Sequence, residues 1–122
     1  MSDNSFPGKD RLPDAGAFSR VFNTADARAS HKYLLMLAAH NGLGHHRLGV
    51  IVARKNVRLA VQRNRFKRIV RECFRQQPAS SPGLDVIIMA RKGVDTLDNA
   101  TLSTIVRQQW DKLLRNRPEE RT

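Results

Sequence analysis

Residues 62–75 read QRNRFKRIVRECFR, and this stretch predicts the element at the centre of the fold. On a helical wheel of 100° per residue, its apolar side chains fall within an arc of about 140°. These side chains are Phe66, Ile69, Val70, Cys73 and Phe74. The opposite arc, which we call the basic ridge, consists of Asn64, Lys67, Arg68, Arg71 and Arg75. The pattern predicts an amphipathic helix with one face in a core and the basic ridge on its other face.

Most of the positive charge in this stretch lies near the amino end of the helix, with Arg63 and Arg65 flanking the first turn. A helix carries about +0.5 charge at that end, and each cation placed there costs roughly 0.3–1 kcal/mol. A bound anion would remove the penalty, because anions are favoured at helix amino ends. The pattern therefore favours contact with a polyanion. The alternative is a basic face that is only solvated.

The net charge of +11 lies entirely in the middle of the chain. Between Ala27 and Leu84 there are twelve Lys and Arg residues and one acid, Glu72. The two flanks together carry ten residues of each sign and cancel. Such a charge distribution attracts polyanions, of which nucleic acid is the commonest. A surface charged only for solubility usually mixes its signs.

The length of 122 residues indicates a single domain. We expect residues 1–10 to form a flexible segment, residues 11–115 to form one domain that binds nucleic acid, and residues 116–122 to form a polar tail. One cysteine allows no internal disulfide and fits a reducing compartment. The chain shows neither a signal-peptide pattern nor an apolar run of roughly 20 residues. These features predict a soluble, cytoplasmic protein.

The remaining segments alternate between strand and helix patterns. Strands are predicted at residues 31–39, 48–55 and 85–91, and the first is apolar on both faces, so both faces should be covered. Asp14 is a suitable cap for a first helix, and Asp98 for a last one. Their apolar positions are Phe18, Val21 and Phe22 in the first helix and Leu102, Ile105, Val106, Gln109, Leu113 and Leu114 in the last. This order predicts a small α+β domain with helices packed on a sheet.

The chain shows no arrangement of residues typical of a catalytic or metal site. Its carboxylates are scattered, and no pair of acids has the spacing that would hold two metal ions. The histidines lack a cysteine or carboxylate partner at ligand spacing, including the adjacent pair His45 and His46. Cys73 lies on the apolar face of its helix, where packing is the usual role. We predict no catalytic residue and no metal ligand in the protein.

Residues 47–75, RLGVIVARKNVRLAVQRNRFKRIVRECFR, strongly resemble the bacterial ribonuclease P protein subunit. The signature of that family is R-x-G-x-x-V-x-[KR]-K followed by R-N-R-x-K-R-x-x-R-E. The likeness continues on both sides, from about Phe6 to Trp110. The resemblance implies a helix and sheet sandwich like the second domain of ribosomal protein S5, with two parallel strands joined through the basic helix by a left-handed crossover. General statistics favour a right-handed crossover in about 98% of cases, and here we follow the resemblance.

The resemblance also implies a function. The family is the protein part of a ribonucleoprotein endonuclease that removes the 5′ leader of precursor tRNA, with the chemistry carried by a catalytic RNA and its Mg²⁺ ions. The implied partners are that RNA and precursor tRNA, with no membrane and no obligate protein partner. The implied RNA-facing residues are Arg63, Asn64, Arg65, Lys67, Arg68 and Arg71. The implied leader-binding cleft contains Phe18, Phe22, Tyr33, Arg54 and Lys55, where aromatic rings on a basic groove suit a single strand.

Two other classes of protein share part of this evidence. A DNA-binding module would need a recognition helix in a helix-turn-helix, whereas strands flank the basic helix here. A protein that only coats structured RNA shares all the charge arguments, and composition does not exclude it. Phe18 and Phe22 fit the core as well as a stacking role.

Overall fold

The computed structural model describes residues 10–77 and 83–116 and confirms the predicted small α+β domain. Its elements are α1 (Ala15–Thr24), β1 (Ala27–Ser30), β2 (Leu34–His40), β3 (Arg47–Ile51), α2 (Ala60–Arg75), β4 (Leu84–Ala90) and α3 (Asn99–Asn116), with a short 3₁₀ helix at Val94–Thr96. Residues 1–9 of the expected flexible segment, residues 78–82 and residues 117–122 of the expected tail lie outside the described residues, and residue 116 of that tail belongs to α3.

One four-stranded sheet has the order β1-β2-β4-β3. β1 and β4 both pair antiparallel with β2, whereas β3 pairs parallel with β4. A parallel pair needs a crossover, and α2 lies between these two strands in the chain. The predicted parallel pairing is therefore confirmed, and the left hand of the crossover stays a prediction.

The predicted strand boundaries differ from the observed ones. β1 was missed because its sequence, ARAS, is short and lacks the β-branched and aromatic residues typical of strands. β2 begins at Leu34 rather than residue 31, because the amide of His31 bonds to the Leu34 carbonyl and closes a turn. β3 ends at Ile51 rather than residue 55, because two following amides bond to the carbonyl of Ala53.

The main core lies between one face of the sheet and the helices α2 and α3. All five apolar side chains predicted for the basic helix are buried there, which confirms the wheel analysis. The apolar arc of α3 is also buried except for half-buried Leu114, and Trp110 packs edge-on against His46 and Phe74. Burial of Cys73 raises the pKa of its thiol, which fits a packing role.

A smaller core lies on the opposite face of the sheet, under α1. It contains Leu12, Val21, Ala39 and Ile87. Asp14 caps α1 as predicted, because its Oδ1 accepts a hydrogen bond from the amide of Ala17 at 2.9 Å. Apolar side chains therefore cover both faces of β2 at least in part, which confirms the expectation for that strand. α1 contributes one fully buried side chain, Val21, together with half-buried Ala17 and Phe18.

Candidate nucleic-acid interface

The amino end of α2 is built without the usual capping devices. Leu59 occupies the capping position, makes no side-chain hydrogen bond, and is followed by a first turn without an acidic residue. Arg63 instead holds the segment before the helix, since its Nη1 donates to the carbonyls of Val57 at 3.0 Å and Arg58 at 2.8 Å. No acid or side-chain cap of the helix itself therefore offsets the positive potential of this end, as the sequence predicts.

The cations of α2 divide into two groups in the structure. Arg65 is bound by the protein itself, because its Nη1 donates to Asn99 Oδ1 at 2.7 Å and its Nε to Gln62 Oε1 at 2.8 Å. Within residues 10–77 and 83–116, neither Lys67 nor Arg68 has a hydrogen-bond or ion-pair partner. Lys67 and Arg68 are therefore the cations of α2 best placed to bind an external anion.

The other residues predicted to face RNA lie on the same helix. Asn64 is exposed and Arg71 is half-buried. The single acid of the central segment, Glu72, is paired with Arg75 at the carboxyl end of the helix. Hydrogen bonding and charge from Arg75 lower the pKa of Glu72. The basic ridge therefore has no acid between Asn64 and Arg71 to oppose it.

On the α1 side, part of the sheet is left half-covered. Residues that are paired across neighbouring strands lie on the same face of a sheet. Met89 is paired with Leu35 on one side and with Ile51 on the other, so these three residues form one row. All three side chains are half-buried. We call this row the open strip. Its residues were missed as candidates, although the alternation of the predicted strands could have placed them on one face.

The aromatic residues predicted for a leader cleft occupy three different environments. Phe18 is half-buried and packs with the smaller core, whereas Phe22, further along α1, is 45% exposed. Tyr33 packs against the edge of the main core, with Lys32 Nζ 5.3 Å from its ring centroid. The structure thus brings Phe18 and Phe22 together on α1, but it does not place Tyr33 in the same cluster.

Arg54 and Lys55 lie in an exposed turn directly after β3. The side chain of Asn56 fastens this turn to the sheet by donating to the carbonyl of Ala90 at 3.2 Å. β3 ends at Ile51, which belongs to the open strip, so the two cations follow the strip residue of β3 within a few positions. Both remain candidates for an anion-binding rim beside it.

Gly49 leaves room for the ring of Phe18. A Cβ atom at this position would lie 2.5 Å from Phe18 Cζ and 2.9 Å from Leu12 Cδ1, both well inside contact distance. We expect Gly49→Ala to lower the free energy of unfolding by about 1 kcal/mol or more, as overpacked sites do. Gly44→Ala is the matched control, because a Cβ there meets nothing within 4 Å. Equal urea denaturation midpoints for the two variants would contradict this packing of Phe18.

The sheet also holds a buried carboxylate that sequence reasoning did not single out. Asp85 is 0% exposed and accepts hydrogen bonds, all of 2.8 Å, from Arg20 of α1, from Asn41 and, through two nitrogens, from Arg47 of β3. Burial alone raises the pKa of Asp85, but the bonds from Arg47, Asn41 and Arg20 outweigh it and hold the pKa below its usual value. The signal in the sequence was an acid at the start of an otherwise apolar strand.

The lowered pKa of Asp85 predicts an acid-sensitive fold. As the pH falls, the unfolded chain takes up this proton before the folded chain does, so stability is full near neutral pH and is lost below the ordinary aspartate pKa of about 3.9. We expect Asp85→Asn to have a smaller difference in unfolding free energy between pH 7 and pH 3 than the parent chain. Urea titrations at several pH values measure it, with exposed Asp111→Asn as control. An unchanged difference in Asp85→Asn would contradict the prediction.

Within residues 10–77 and 83–116, no three His, Cys, Asp or Glu side chains form a group that could hold a metal ion. The same part of the chain contains no helix that is long and apolar enough to cross a membrane.

The fold and charge define a small α+β protein with a strongly basic helix packed on a four-stranded sheet. A family model described as Ribonuclease P matches residues 6–114. The chain is 49% identical over 113 residues to the ribonuclease P protein component of Chromohalobacter salexigens, covering 93% of this chain and 88% of that relative. It is 44% identical over 118 residues to that of Pseudomonas aeruginosa, covering 97% and 87% respectively. The chain belongs to the ribonuclease P protein family.

Solved structures show the same fold. The ribonuclease P protein of Thermotoga maritima superposes with a TM-score of 0.70 at 28% identity, covering 88% of this chain and 98% of that one. The Staphylococcus aureus protein has a TM-score of 0.70 at 22% identity, covering 87% and 93%, and this likeness concerns the fold alone.

Proposed function

We propose that this chain is the protein subunit of ribonuclease P, which assists removal of the 5′ leader from precursor tRNA. The observation that carries the proposal is the family match over residues 6–114, which spans α1, the sheet, α2 and nearly all of α3. The localised charge of +11 fits partners that are RNA, namely the catalytic RNA and the precursor.

α2 is the surface we assign to the catalytic RNA. Lys67 and Arg68 have no partner among the described residues, and an arginine fork and a lysine point charge both suit phosphate oxygens. Asn64 is exposed on the same face and can both donate and accept. Arg63, Arg65 and Arg71 belong to the same proposed surface. Because Arg63 and Arg65 also bind protein groups, we expect them to orient the helix end as much as to contact RNA.

The α1 side of the sheet is the surface we assign to the 5′ leader. The exposed ring of Phe22 and the half-buried open strip offer stacking and apolar area, and Arg54 and Lys55 supply charge nearby in the chain. A single strand without base pairs suits such a surface. Phe18 and Tyr33 have packing roles in this fold, and we keep them as secondary leader contacts.

The chemistry is proposed to belong to the RNA subunit. The described residues contain no cluster of three His, Cys, Asp or Glu side chains that could hold a metal ion, and we assign the Mg²⁺ ions to the RNA and the substrate, whose phosphates are ligands that Mg²⁺ prefers. The metal supplies Lewis acid and activated water in such reactions, while this chain binds and orients the two RNAs.

Reconstitution tests the proposal. The purified chain, added to the matching catalytic RNA at low Mg²⁺, should restore cleavage of precursor tRNA at the mature 5′ end. The chain freed of RNA should cleave nothing. Restored cleavage supports the proposal, whereas RNA binding without any gain in cleavage would indicate a protein that only coats structured RNA. Metal-dependent cleavage by rigorously RNA-free chain would contradict the assignment of the chemistry.

A further inference from the structure

The first part of the family signature, Arg47-x-Gly49, lies away from the basic ridge, and the role proposed for α2 does not explain it. Both residues belong to β3, and their side-chain positions are two apart, so they lie on the same face of the sheet, the one under α1. Register places Arg47 opposite Asp85 and Gly49 opposite Ile87 of β4. Each of the two residues of the signature therefore lies beneath α1.

The contacts of these residues with α1 are specific. Asp85 accepts two bonds from Arg47 and one from Asn41, and its Oδ2 also accepts from Arg20 of α1 at 2.8 Å. A second nitrogen of Arg20 donates to the carbonyl of His40 at 3.1 Å. Two residues earlier in α1, the ring of Phe18 occupies the space where a Cβ of residue 49 would stand. Arg20 and Phe18 thus fix α1 at two points.

These two contacts add to the apolar packing of Val21 and Ala17 on the smaller core. α1 buries one side chain completely, Val21. Among the described residues, the bond of Arg20 to Asp85 is the ion pair between α1 and the sheet. Charge-assisted hydrogen bonds to a buried carboxylate are among the stronger directional contacts in proteins. Because their geometry is strict, they restrain the position of α1 in a way that apolar packing alone does not.

We propose that Asp85, Arg47 and Gly49 form a docking site for α1, which we call the seat, and that it fixes the position of the helix beside the open strip. Arg20 and Asp85 are then positioning residues for 5′ leader binding. This inference rests on the proposed function, since it assumes that the leader occupies the strip. In this proposal, Arg20 affects leader binding through its bond to Asp85 and does not contact a phosphate of the RNA. The rival reading is direct contact, because the Arg20 side chain is 42% exposed.

The test uses the chain reconstituted with its catalytic RNA and the single substitution Arg20→Gln. Asp85 keeps Arg47 and Asn41 in this variant, so the sheet should stay folded. We expect faster hydrogen exchange of the α1 amides and a loss of precursor affinity on the order of tenfold. Affinity for mature tRNA should not change. Arg107→Gln, which removes an exposed arginine from α3 on the other face of the sheet, is the matched control and should leave all three readouts unchanged.

Three further measurements separate positioning from direct contact. A positioning role predicts that the slope of log K against log salt for precursor stays the same, whereas a lost phosphate contact lowers it by about 0.7. Arg20→Lys should recover only part of the affinity, because lysine lacks the rigid two-nitrogen fork with which Arg20 reaches Asp85 and the His40 carbonyl together. Arg20→Gln combined with Asp85→Asn should cost little more affinity than either change alone, as for coupled residues.

Several outcomes would overturn the inference. A lower salt slope with unchanged α1 exchange would make Arg20 a phosphate contact. Additive effects of the two substitutions would separate Arg20 from Asp85. If Asp85→Asn fails to fold, Arg20→Gln and Gly49→Ala still test the seat, and normal precursor affinity in both would reject it. Faster hydrogen exchange of the α1 amides with unchanged precursor affinity would support the docking of α1 on the seat but reject its role in leader binding. Failure of the unsubstituted chain to discriminate precursor from mature tRNA would instead reject the proposed function.

Discussion

Replacing Lys67, Arg68 and Arg71 together with alanine should weaken assembly with the catalytic RNA on the order of 100-fold at physiological salt. Each lost phosphate contact should lower the slope of log K against log salt by roughly 0.7–0.9, and three contacts give this factor near 0.15 M. Lys67 and Arg68 have no partner among the described residues, and Arg71 lies one turn further along the same face. Binding titrations at several salt concentrations measure both the affinity and the slope.

The matched control is a second triple variant in α3. Arg107, Lys112 and Arg115 have the same composition of two arginines and one lysine, and all three are exposed. Their replacement should change the assembly slope far less. Equal losses in the two triple variants would show that assembly depends on total charge rather than on the basic ridge. Arg71 is half-buried, so thermal melting must first show that the α2 variant is folded.

Phe22→Ala should weaken binding of precursor with a 5′ leader by roughly 1–3 kcal/mol, which is about 5-fold to 150-fold. The reason is the loss of one base-stacking ring, and mature tRNA, which has no leader, should bind as before. Phe22 gives the clearest test among the aromatic residues because its side chain is 45% exposed, so its removal should disturb packing little. Competition titrations of precursor and mature tRNA against the assembled complex measure the difference.

Leu43→Ala serves as the control for loss of an exposed apolar side chain, since Leu43 is 38% exposed in the turn between β2 and β3. Normal precursor binding by folded Phe22→Ala would contradict the leader assignment of that ring. Phe18→Ala and Tyr33→Ala give weaker evidence, because one ring fills the space above Gly49 and the other packs at the edge of the main core. A loss of leader binding in either variant could come from lost base stacking or from lost packing in the protein, and the measurement would not separate the two.

Local patterns were sufficient for the helices. The wheel of residues 62–75 identified the five buried side chains of α2, and Asp14 and Asp98 each accept the capping amide bond expected of them. These features depend on neighbours three and four residues apart, which the sequence displays directly. The strand limits were less accurate, because β1 is held by pairing with β2 and not by its own residue types.

The sequence by itself determined the class of this protein: a basic amphipathic helix between strands, a localised charge of +11 and the long signature that places the chain in its family. The tertiary structure alone showed that Arg65 is bound within the protein, because its bond to Asn99 joins residues 34 positions apart, whose proximity no local pattern reveals. It also separated Tyr33 from Phe18 and Phe22, and it brought Arg20, Arg47 and Asp85 together. The physical reason is that helix periodicity is a short-range property, whereas ion pairs and ring contacts across a sheet depend on strand order and register.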